Sequence, residues 1–263
     1  MSDKRFAGKV VLVTGSVRNT GREIAKAFLE EGADVWVNGR SMEKFNAAKE
    51  YLAEAAKIGG GKILPAICDV CDTASIPAMF AEIKKTSGRL DVLVNNAVVQ
   101  GMGGGIHEFS LEEFDKVIHT NIYGYYFCAQ EAAKMMIAQK GGAIVNMGSN
   151  TAMRATRNRS AYCCTKGAID SLNRAMALDL APFGIQVNSV VPGYIYTDRW
   201  DVLDQNVAKH RRDNTPSGRE SAGRDIANAV LFMASPAARN CCGSNLVVDG
   251  GCSIQLMPKN EDM

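Results

Sequence analysis

The chain lacks an excess of charge of either sign. Its 263 residues include 30 lysines and arginines against 28 aspartates and glutamates, which gives a net charge of +2. A nearly neutral chain has no overall electrostatic attraction to nucleic acid or to an anionic membrane surface. The composition therefore predicts no nucleic-acid or membrane partner, and a small molecule becomes the expected ligand.

Targeting and anchoring segments are also missing from the sequence. No apolar run reaches the length of a transmembrane helix. The first residues, MSDKRFAGKVVLVTG, lead straight into a predicted strand, without the pattern of a signal peptide. We therefore expect a cytoplasmic protein.

The eight cysteines lack the spacing of a disulfide framework. They include two adjacent pairs, at 163–164 and 241–242, which suits the reduced thiols of a cytoplasmic protein. Cys68 and Cys71 form a CxxC, but no second pair stands at zinc-ribbon spacing. Two packed thiols are the favoured interpretation, and no metal site is predicted.

No internal repeat, linker or low-complexity segment divides the chain. Short apolar runs alternate with helical patterns, which predicts a single α/β domain, residues 1–263, around a doubly wound parallel sheet. The predicted strands are 9–13, 34–37, 62–67, 90–94, 143–147, 185–191 and 245–248. The predicted helices are 22–32, 42–57, 73–87, 110–139, 160–181 and 223–234. The polar segment 194–222 follows a central strand and is predicted to be an irregular substrate lid.

A glycine-containing turn, TGSVRNTG at 14–21, joins the first strand to the first helix. Strand, glycine turn and helix in this order are the context that a dinucleotide-binding site requires. Gly15 allows the tight turn, and Gly21 lets the helix begin close to the strand. The amide groups at the start of the helix can then face a pyrophosphate.

The second strand ends without an acidic residue, in Asn38-Gly39-Arg40-Ser41. An NAD site needs a carboxylate there to accept hydrogen bonds from the ribose hydroxyls. A guanidinium instead pairs with a 2′-phosphate, and both Arg40 and Arg18 can supply one. The sequence therefore predicts NADP(H) as the cofactor.

The stretch 142–167 carries the candidate chemistry. A predicted strand ends at Gly148-Ser149-Asn150, and Tyr162 and Lys166 follow on one face of a helix that Ser160 is expected to cap. An ammonium beside a phenol favours the phenolate, so we expect the pKa of Tyr162 to fall from roughly 10 toward neutrality. Such a phenol can exchange a proton with a carbonyl or alcohol oxygen that Ser149 also holds.

Three further positions are candidates because of their place in the pattern. Asn121 lies among apolar residues of the predicted long helix, where a buried amide is either a structural knot or part of a proton path. Asp69-Val70 follows the third strand and is placed to contact an adenine ring. Asn95-Asn96-Ala97 follows the fourth strand.

These motifs, in this order, closely resemble the short-chain dehydrogenase/reductase superfamily over nearly the whole chain. The matching stretches are TGSVRNTG, Asp69-Val70, NNA at 95–97, Asn121, Ser149, YCCTK, PGYIYT at 192–197 and VVDGG at 247–251. The resemblance implies a Rossmann-type seven-stranded sheet in the order 3-2-1-4-5-6-7. It also implies a homotetramer, with the long helices and the last strand at the interfaces.

The resemblance implies a role for each member of a catalytic tetrad. Tyr162 is then the acid/base, Ser149 polarises the substrate oxygen, Lys166 binds the nicotinamide ribose, and Asn121 anchors a water. Thr197 and the backbone near Ile195 hold the carboxamide. The cofactor-binding residues expected on all these grounds are Gly15, Arg18, Asn19, Thr20, Gly21, Arg40, Ser41, Asp69, Val70, Asn95, Ala97, Tyr162, Lys166, Pro192, Gly193, Ile195 and Thr197.

Two positions depart from the family pattern. Asn19 stands where the family has its second glycine, and asparagine tolerates a left-handed backbone better than most residues. Val98 stands where the family motif NNAG has glycine, and its side chain can narrow the pocket near the nicotinamide.

The sequence thus predicts an NADP(H)-dependent enzyme that interconverts a ketone and a secondary alcohol. A 3-oxoacyl-carrier-protein reductase is one alternative; Leu178 precedes Asp179 where that group usually has a basic residue. A non-catalytic NADP-binding regulator is the other, and retention of the whole tetrad disfavours it. The residues expected to face the substrate are Ser149, Asn150, Tyr162, Tyr194 and Trp200.

The substrate class stays open at this point. The aromatic residues Tyr194, Tyr196 and Trp200 favour an apolar, cyclic, steroid-like or polyol molecule. Arg154, Arg157 and Arg159 can alternatively receive an acidic partner or a carboxylate.

Overall fold

Seven parallel strands form one sheet in the order β3-β2-β1-β4-β5-β6-β7. The computed structural model describes residues 4–257. The strands are β1 Val10–Val13, β2 Asp34–Gly39, β3 Ile63–Ile67, β4 Val92–Asn95, β5 Gly142–Met147, β6 Ile185–Pro192 and β7 Asn245–Val248. The predicted fold class and strand order are confirmed.

Helices cover both faces of the sheet. They are α1 Asn19–Glu30, α2 Met42–Gly59, α3 Ile76–Ser87, α4 Leu111–Ile118, α5 Gly124–Ala138, α6 Ser160–Leu180, α7 Asp198–Asp201, α8 Gln205–Asp213 and α9 Gly223–Met233. Successive strand residues point to opposite faces, so Val11 and Val13 join one apolar cluster, under α1, α2 and α9. Val10 and Leu12 join the other, which includes residues of α3, α5 and α6.

The predicted helical stretch 110–139 is present, and it contains a π-helical turn that the sequence pattern did not indicate. A π-helical turn, His119–Tyr123, separates α4 from α5. Thr120 and Asn121 are buried in this turn. The predicted helical stretch is thus confirmed. Its π-helical turn escaped prediction because the inserted residue leaves the run of apolar and aromatic residues unbroken.

The segment 194–222 is folded rather than irregular. It contains α7 and α8, and its two ends pair through a parallel bridge between Ile195 and Ser221. Asp204 caps α8 by accepting hydrogen bonds from the Asn206 and Val207 amides. The helices escaped prediction because they are short and polar, and bury only Trp200 and Ala208. The role of this segment as a lid stays a prediction.

The described residues, 4–257, also bear on the expected membrane and metal partners. No helix there is long and apolar enough to cross a membrane. No group of three His, Cys, Asp or Glu side chains is placed to hold a metal ion within the same residues. All eight cysteines lie within this part of the chain as free thiols.

Candidate active site

The carboxyl ends of β1 and β4 are fastened together by one hydroxyl group. Thr14 Oγ1 accepts hydrogen bonds from the amides of Asn96 (2.9 Å) and Ala97 (3.0 Å). It donates to the carbonyl of Val94 at 3.3 Å. The chain leaves β1 toward one face of the sheet and β4 toward the other, so a crevice opens here, at the usual ligand site of such sheets.

The two glycines of the turn lie against the segment after β4, where a side chain would have no room. A Cβ on Gly21 would lie 2.5 Å from both Asn96 Nδ2 and the Gly15 carbonyl oxygen. Asn19 has φ +50°, so it does adopt the left-handed backbone that the family glycine would supply. No side chain caps the N-terminus of α1. Its free amide groups therefore fit the pyrophosphate of a dinucleotide.

Asn38 holds the glycine turn in place, and sequence reasoning missed it. Its Oδ1 accepts a hydrogen bond from the Gly15 amide at 2.9 Å. Its Nδ2 donates to the carbonyls of Ala66 (2.8 Å) and Cys68 (3.1 Å). A buried amide in the apolar strand DVWVNG was the available signal.

The corner after β2 carries the predicted cofactor-discriminating residues. Arg40 Nη1 lies 3.9 Å from Asp69 Oδ2, and both side chains are exposed. Ser41 caps α2 by accepting a hydrogen bond from the Lys44 amide at 3.3 Å. A Cβ on Gly39 would meet Val17 Cγ1 at 2.5 Å. Val17 therefore fills the space that a carboxylate at position 39 would need.

Asn95 and Asn96, at the end of β4, have different contacts. The Asn95 side chain is fully buried and donates to the Tyr125 carbonyl and to Asn146 Oδ1, both at 3.1 Å. It is therefore not available to a ligand. Asn96 is the residue that contacts the glycine turn, through Nδ2 to the Thr14 carbonyl at 2.9 Å.

The first turn of α6 places Tyr162 and Lys166 on the same side, as predicted. The Lys166 ammonium lies 5.5 Å from the centre of the Tyr162 ring. It donates to the Met147 carbonyl at the end of β5 at 2.7 Å. The expected Ser160 cap was wrong: α6 begins at Ser160, and Arg159 occupies the cap position without a side-chain hydrogen bond.

Ser149 and Asn121 complete the predicted tetrad from neighbouring elements. Ser149 Oγ accepts hydrogen bonds from the Thr151 amide (3.2 Å) and hydroxyl (2.9 Å). Asn121 bonds to both the amide and the carbonyl of Val99 at 2.9 Å, and to Thr165 Oγ1 at 3.1 Å. Of the two alternatives for Asn121, these hydrogen bonds support the structural role. Its part in a proton path stays a prediction.

This arrangement agrees with a family model described as enoyl-(acyl carrier protein) reductase, which matches residues 15–253. The chain belongs to the short-chain dehydrogenase/reductase superfamily. Its relatives in that superfamily are oxidoreductases, and they differ in what they act on.

Similar proteins of this superfamily align over almost their full length. A 3α-hydroxysteroid dehydrogenase from Mediterraneibacter gnavus is 36% identical over 245 residues, 92% of this chain and 96% of that protein. A 3-oxoacyl-acyl-carrier-protein reductase from Staphylococcus aureus is 36% identical over 244 residues, 92% of this chain and 97% of that protein. The crystal structure of a gluconate 5-dehydrogenase from Burkholderia cenocepacia with NADP and tartrate superposes with a TM-score of 0.89 at 32% identity, covering 97% of this chain and 99% of that one.

The superfamily motif PGYIYT leads from β6 into the lid, and its aromatic residues pack there. Trp200 is only 7% exposed and stacks on Tyr196, with 6.1 Å between ring centres. Tyr194 and Tyr196 are both accessible, at 41% and 46% exposed. The predicted contact of Trp200 with a substrate is thus unsupported, because the lid itself buries the indole.

Thr197 and Val70 are two further predicted cofactor residues; Thr197 precedes α7, and Val70 follows β3. The Asp198 amide, next to Thr197, donates to Asn19 Oδ1 at 3.5 Å, so the start of the lid reaches the glycine turn. Val70 is buried against Gly124, which leaves little of its side chain for adenine. Val98 is exposed after β4.

Burial dominates the electrostatics of the tyrosine–lysine pair. It lowers the pKa of Lys166 from 10.5 to about 7. It also raises the pKa of Tyr162, which the Ser149 hydroxyl and the Arg159 charge act to lower. The expected fall of the Tyr162 pKa toward neutrality is not found, because the ammonium points to a carbonyl and is itself easily deprotonated.

We predict that Lys166→Met stabilises the fold below pH 7. The folded-state pKa of Lys166, about 7, lies below its ordinary 10.5, so the folded chain bears the cost of a buried charge at low pH and escapes it as pH rises. The variant should gain about 1–4 kcal/mol in the free energy of unfolding at pH 6, and less at pH 9. Urea unfolding followed by circular dichroism measures this.

Exposed Lys57, at the end of α2, supplies the matched control for that measurement. Lys57→Met should leave the difference between pH 6 and pH 9 as it is in the unmodified chain. A Lys166→Met protein that is less stable than the parent at pH 6 would contradict the burial argument.

Proposed function

We propose that the protein is an NADP(H)-dependent oxidoreductase that interconverts a ketone and a secondary alcohol of a small molecule. The observation that carries the proposal is the meeting of Tyr162, Lys166 and Ser149 at one edge of the crevice. The glycine turn, with the free amides of α1, borders the same crevice. The Tyr162 hydroxyl, which would exchange the proton, thus lies at the same crevice as the glycine turn, which is expected to bind the cofactor.

The side chains divide the chemistry between them. Ser149 receives two hydrogen bonds from Thr151, so its own hydroxyl hydrogen can be donated, to the Tyr162 oxygen or to a substrate oxygen beside it. The Tyr162 phenolate takes the hydroxyl proton in oxidation, and the phenol returns it in reduction. Bound NADP would accept or supply the hydride at the same carbon. The Arg159 charge favours the phenolate that oxidation requires.

Cofactor choice follows from the corner after β2. Arg40 and the amide groups at the start of α2 could bind a 2′-phosphate, because the Asp69 carboxylate near Arg40 is only a distant partner at 3.9 Å. The contact of Val17 with Gly39 disfavours the acid that NAD recognition needs at this position. The NADP bound to the Burkholderia relative supports this choice.

The same site bears on the two alternative functions, carrier-protein reductase and non-catalytic regulator. The Staphylococcus relative keeps 3-oxoacyl-carrier-protein reduction as the alternative. Against it, Leu178 presents an apolar side chain, 75% exposed, where a carrier-protein reductase usually has a basic residue. A non-catalytic regulator has no need of a buried lysine beside a tyrosine. An enzyme that reduces acetoacetyl-carrier protein but does not reduce small ketones would favour this alternative.

We predict that Tyr162→Phe lowers kcat by about 10²–10⁴-fold, because general acid–base catalysis contributes that much. The phenyl ring keeps the packing and loses only the transferable proton. Affinity for NADPH, followed by its fluorescence, should stay within a few fold. Tyr51→Phe, which removes an exposed hydroxyl bonded to Glu23, is the control and should retain full turnover. A Tyr162→Phe enzyme with most of the parent activity would refute the assignment.

We predict that Arg40→Ala weakens NADPH binding about tenfold or more and leaves NADH binding unchanged, since only NADPH carries the 2′-phosphate. Fluorescence titration at fixed ionic strength measures both. Lys44→Ala, one turn further along α2, is the control. Conversion toward NADH should need Val17→Ala together with Gly39→Asp and Arg40→Ala. Equal loss of affinity for both cofactors would show that Arg40 acts on the fold instead.

We predict a homotetramer with two-fold axes, as the superfamily resemblance implies. The described helices α4 and α5 expose Leu111, Phe114 and Tyr126, and the edge strand β7 exposes Val247. These apolar side chains suit burial between subunits. Light scattering at micromolar concentration should give four times the chain mass of 28.3 kDa. A monomer mass would contradict the prediction.

A further inference from the structure

Three arginines lie together at the Tyr162 end of the crevice. Arg159 Nη1 donates to both the backbone carbonyl and the side-chain Oε1 of Gln100, each at 3.2 Å. Arg199, on α7 of the lid, donates to the same Oε1. Two guanidinium groups from different parts of the fold therefore share one uncharged oxygen atom.

Arg211, on α8, adds the third guanidinium. It lies 5.3 Å from the ring centre of Tyr194 and 5.5 Å from that of Trp200. Its neighbour Arg212 differs, because it forms a two-bond ion pair with Glu220 at 2.7 and 2.9 Å. Among residues 4–257, no carboxylate lies within ion-pair distance of Arg159, Arg199 or Arg211.

The three charges are close enough to oppose one another. Burial lowers the pKa of Arg159, the Tyr162 phenol counteracts this, and the charges of Arg199 and Arg211 lower it further. Like charges gathered at a half-buried position cost free energy until an anion joins them. The Gln100 Oε1 atom marks where an anionic oxygen would receive hydrogen bonds from two guanidinium groups.

The rest of the basic loop is used differently. Arg154 donates to the carbonyls of Cys252 (2.9 Å) and Gln255, so it fastens the C-terminal segment. Arg157 is exposed. Of the three arginines in this loop, Arg159 is therefore the one directed toward the catalytic tyrosine.

We propose that Arg159, Arg199 and Arg211 bind the carboxylate of the substrate, which is therefore a hydroxy acid or its keto-acid counterpart. The carboxylate would replace Gln100 Oε1 between the guanidinium groups and accept paired hydrogen bonds. The hydroxyl carbon, elsewhere on the same molecule, would then lie beside Tyr162 and Ser149. Two of the three arginines belong to the lid, so an anion would also draw the lid toward the crevice.

The substrate class rests on the proposed function for its reaction. In oxidation, the hydroxyl O–H bond breaks and its proton passes to Tyr162. The C–H bond at the same carbon breaks, and its electron pair and hydrogen leave as hydride to NADP⁺, giving NADPH. The products are the keto acid, NADPH and one proton released to water, and the carboxylate is unchanged.

Calorimetry with and without saturating NADPH tests the carboxylate site independently of turnover. Tartrate, gluconate and inorganic sulfate are titrated at constant ionic strength, with threitol and sorbitol as the uncharged counterparts of the two acids. We expect millimolar or tighter binding of at least one carboxylate, weaker binding of sulfate, and no binding of the polyols. Absence of binding by both carboxylates, or equal binding of acid and polyol, overturns the proposal.

Variants then assign the binding to the arginines. Arg159→Gln combined with Arg199→Gln should weaken carboxylate binding about ten- to hundredfold, as expected for lost charge-assisted hydrogen bonds. Lys209→Gln, an exposed charge on α8, is the matched control and should bind as the parent does. If Arg159→Gln and Arg211→Gln each leave carboxylate affinity unchanged, the proposed site is wrong.

Turnover distinguishes failure of the substrate class from failure of the proposed reaction. With NADP⁺, kcat/KM for hydroxy acids should exceed that for matched polyols at least tenfold, and the double variant should abolish the difference. Oxidation of polyols in preference to acids would refute the acid-binding role and leave the oxidoreductase assignment standing. Tight carboxylate binding without oxidation of any alcohol would refute the proposed reaction alone.

Discussion

The Thr14 hydroxyl is the contact on which the site depends. It takes two amide hydrogen bonds from the segment after β4 and returns one to the end of that strand, so two strands whose chains diverge stay fastened at their carboxyl ends. A hydroxyl can donate and accept at once, which an apolar side chain of the same size cannot do. Asn38 extends the fastening to β2 and β3. Hydrogen bonds within the protein thereby hold the glycine turn in place.

Three basic side chains in the crevice donate to neutral oxygens rather than to carboxylates. Lys166 meets the Met147 carbonyl, and Arg159 and Arg199 meet the amide of Gln100. Neutral acceptors satisfy the N–H groups without neutralising them. The neutral oxygens thus hold the lysine and arginine side chains in position and leave their positive charges available to an anionic ligand. It also costs stability, since burial of unpaired cations is unfavourable.

The strands and their order could be predicted because apolar runs and turn residues are local signals, as in KVVLV followed by Thr14-Gly15. Tyr162, Lys166 and Ser149 could be found because their spacing is tied to one strand and one helix. The pKa of Tyr162 could not, since it depends on burial and on the direction of the Lys166 side chain. Arg199 and Arg211 escaped notice for a similar reason: only the folded lid brings them to Arg159, 40 and 52 residues away in sequence.

The π-helical turn at His119–Tyr123 constrains how this chain can change length. Each residue of an α-helix adds about 100° of rotation. The extra residue of the π-helical turn therefore rotates the outward face of α5 relative to that of α4. Deleting one residue there would give a straight helix, but either the Asn121 amide would turn away from Val99 or the outward face of α4 would rotate by about 100°. Deletion of one residue inside this helix would thus change the packing of a whole helical face, whereas deletion of one residue in an exposed loop would change only the loop. Descendants of this sequence should keep the length of 111–138 fixed while their loops vary.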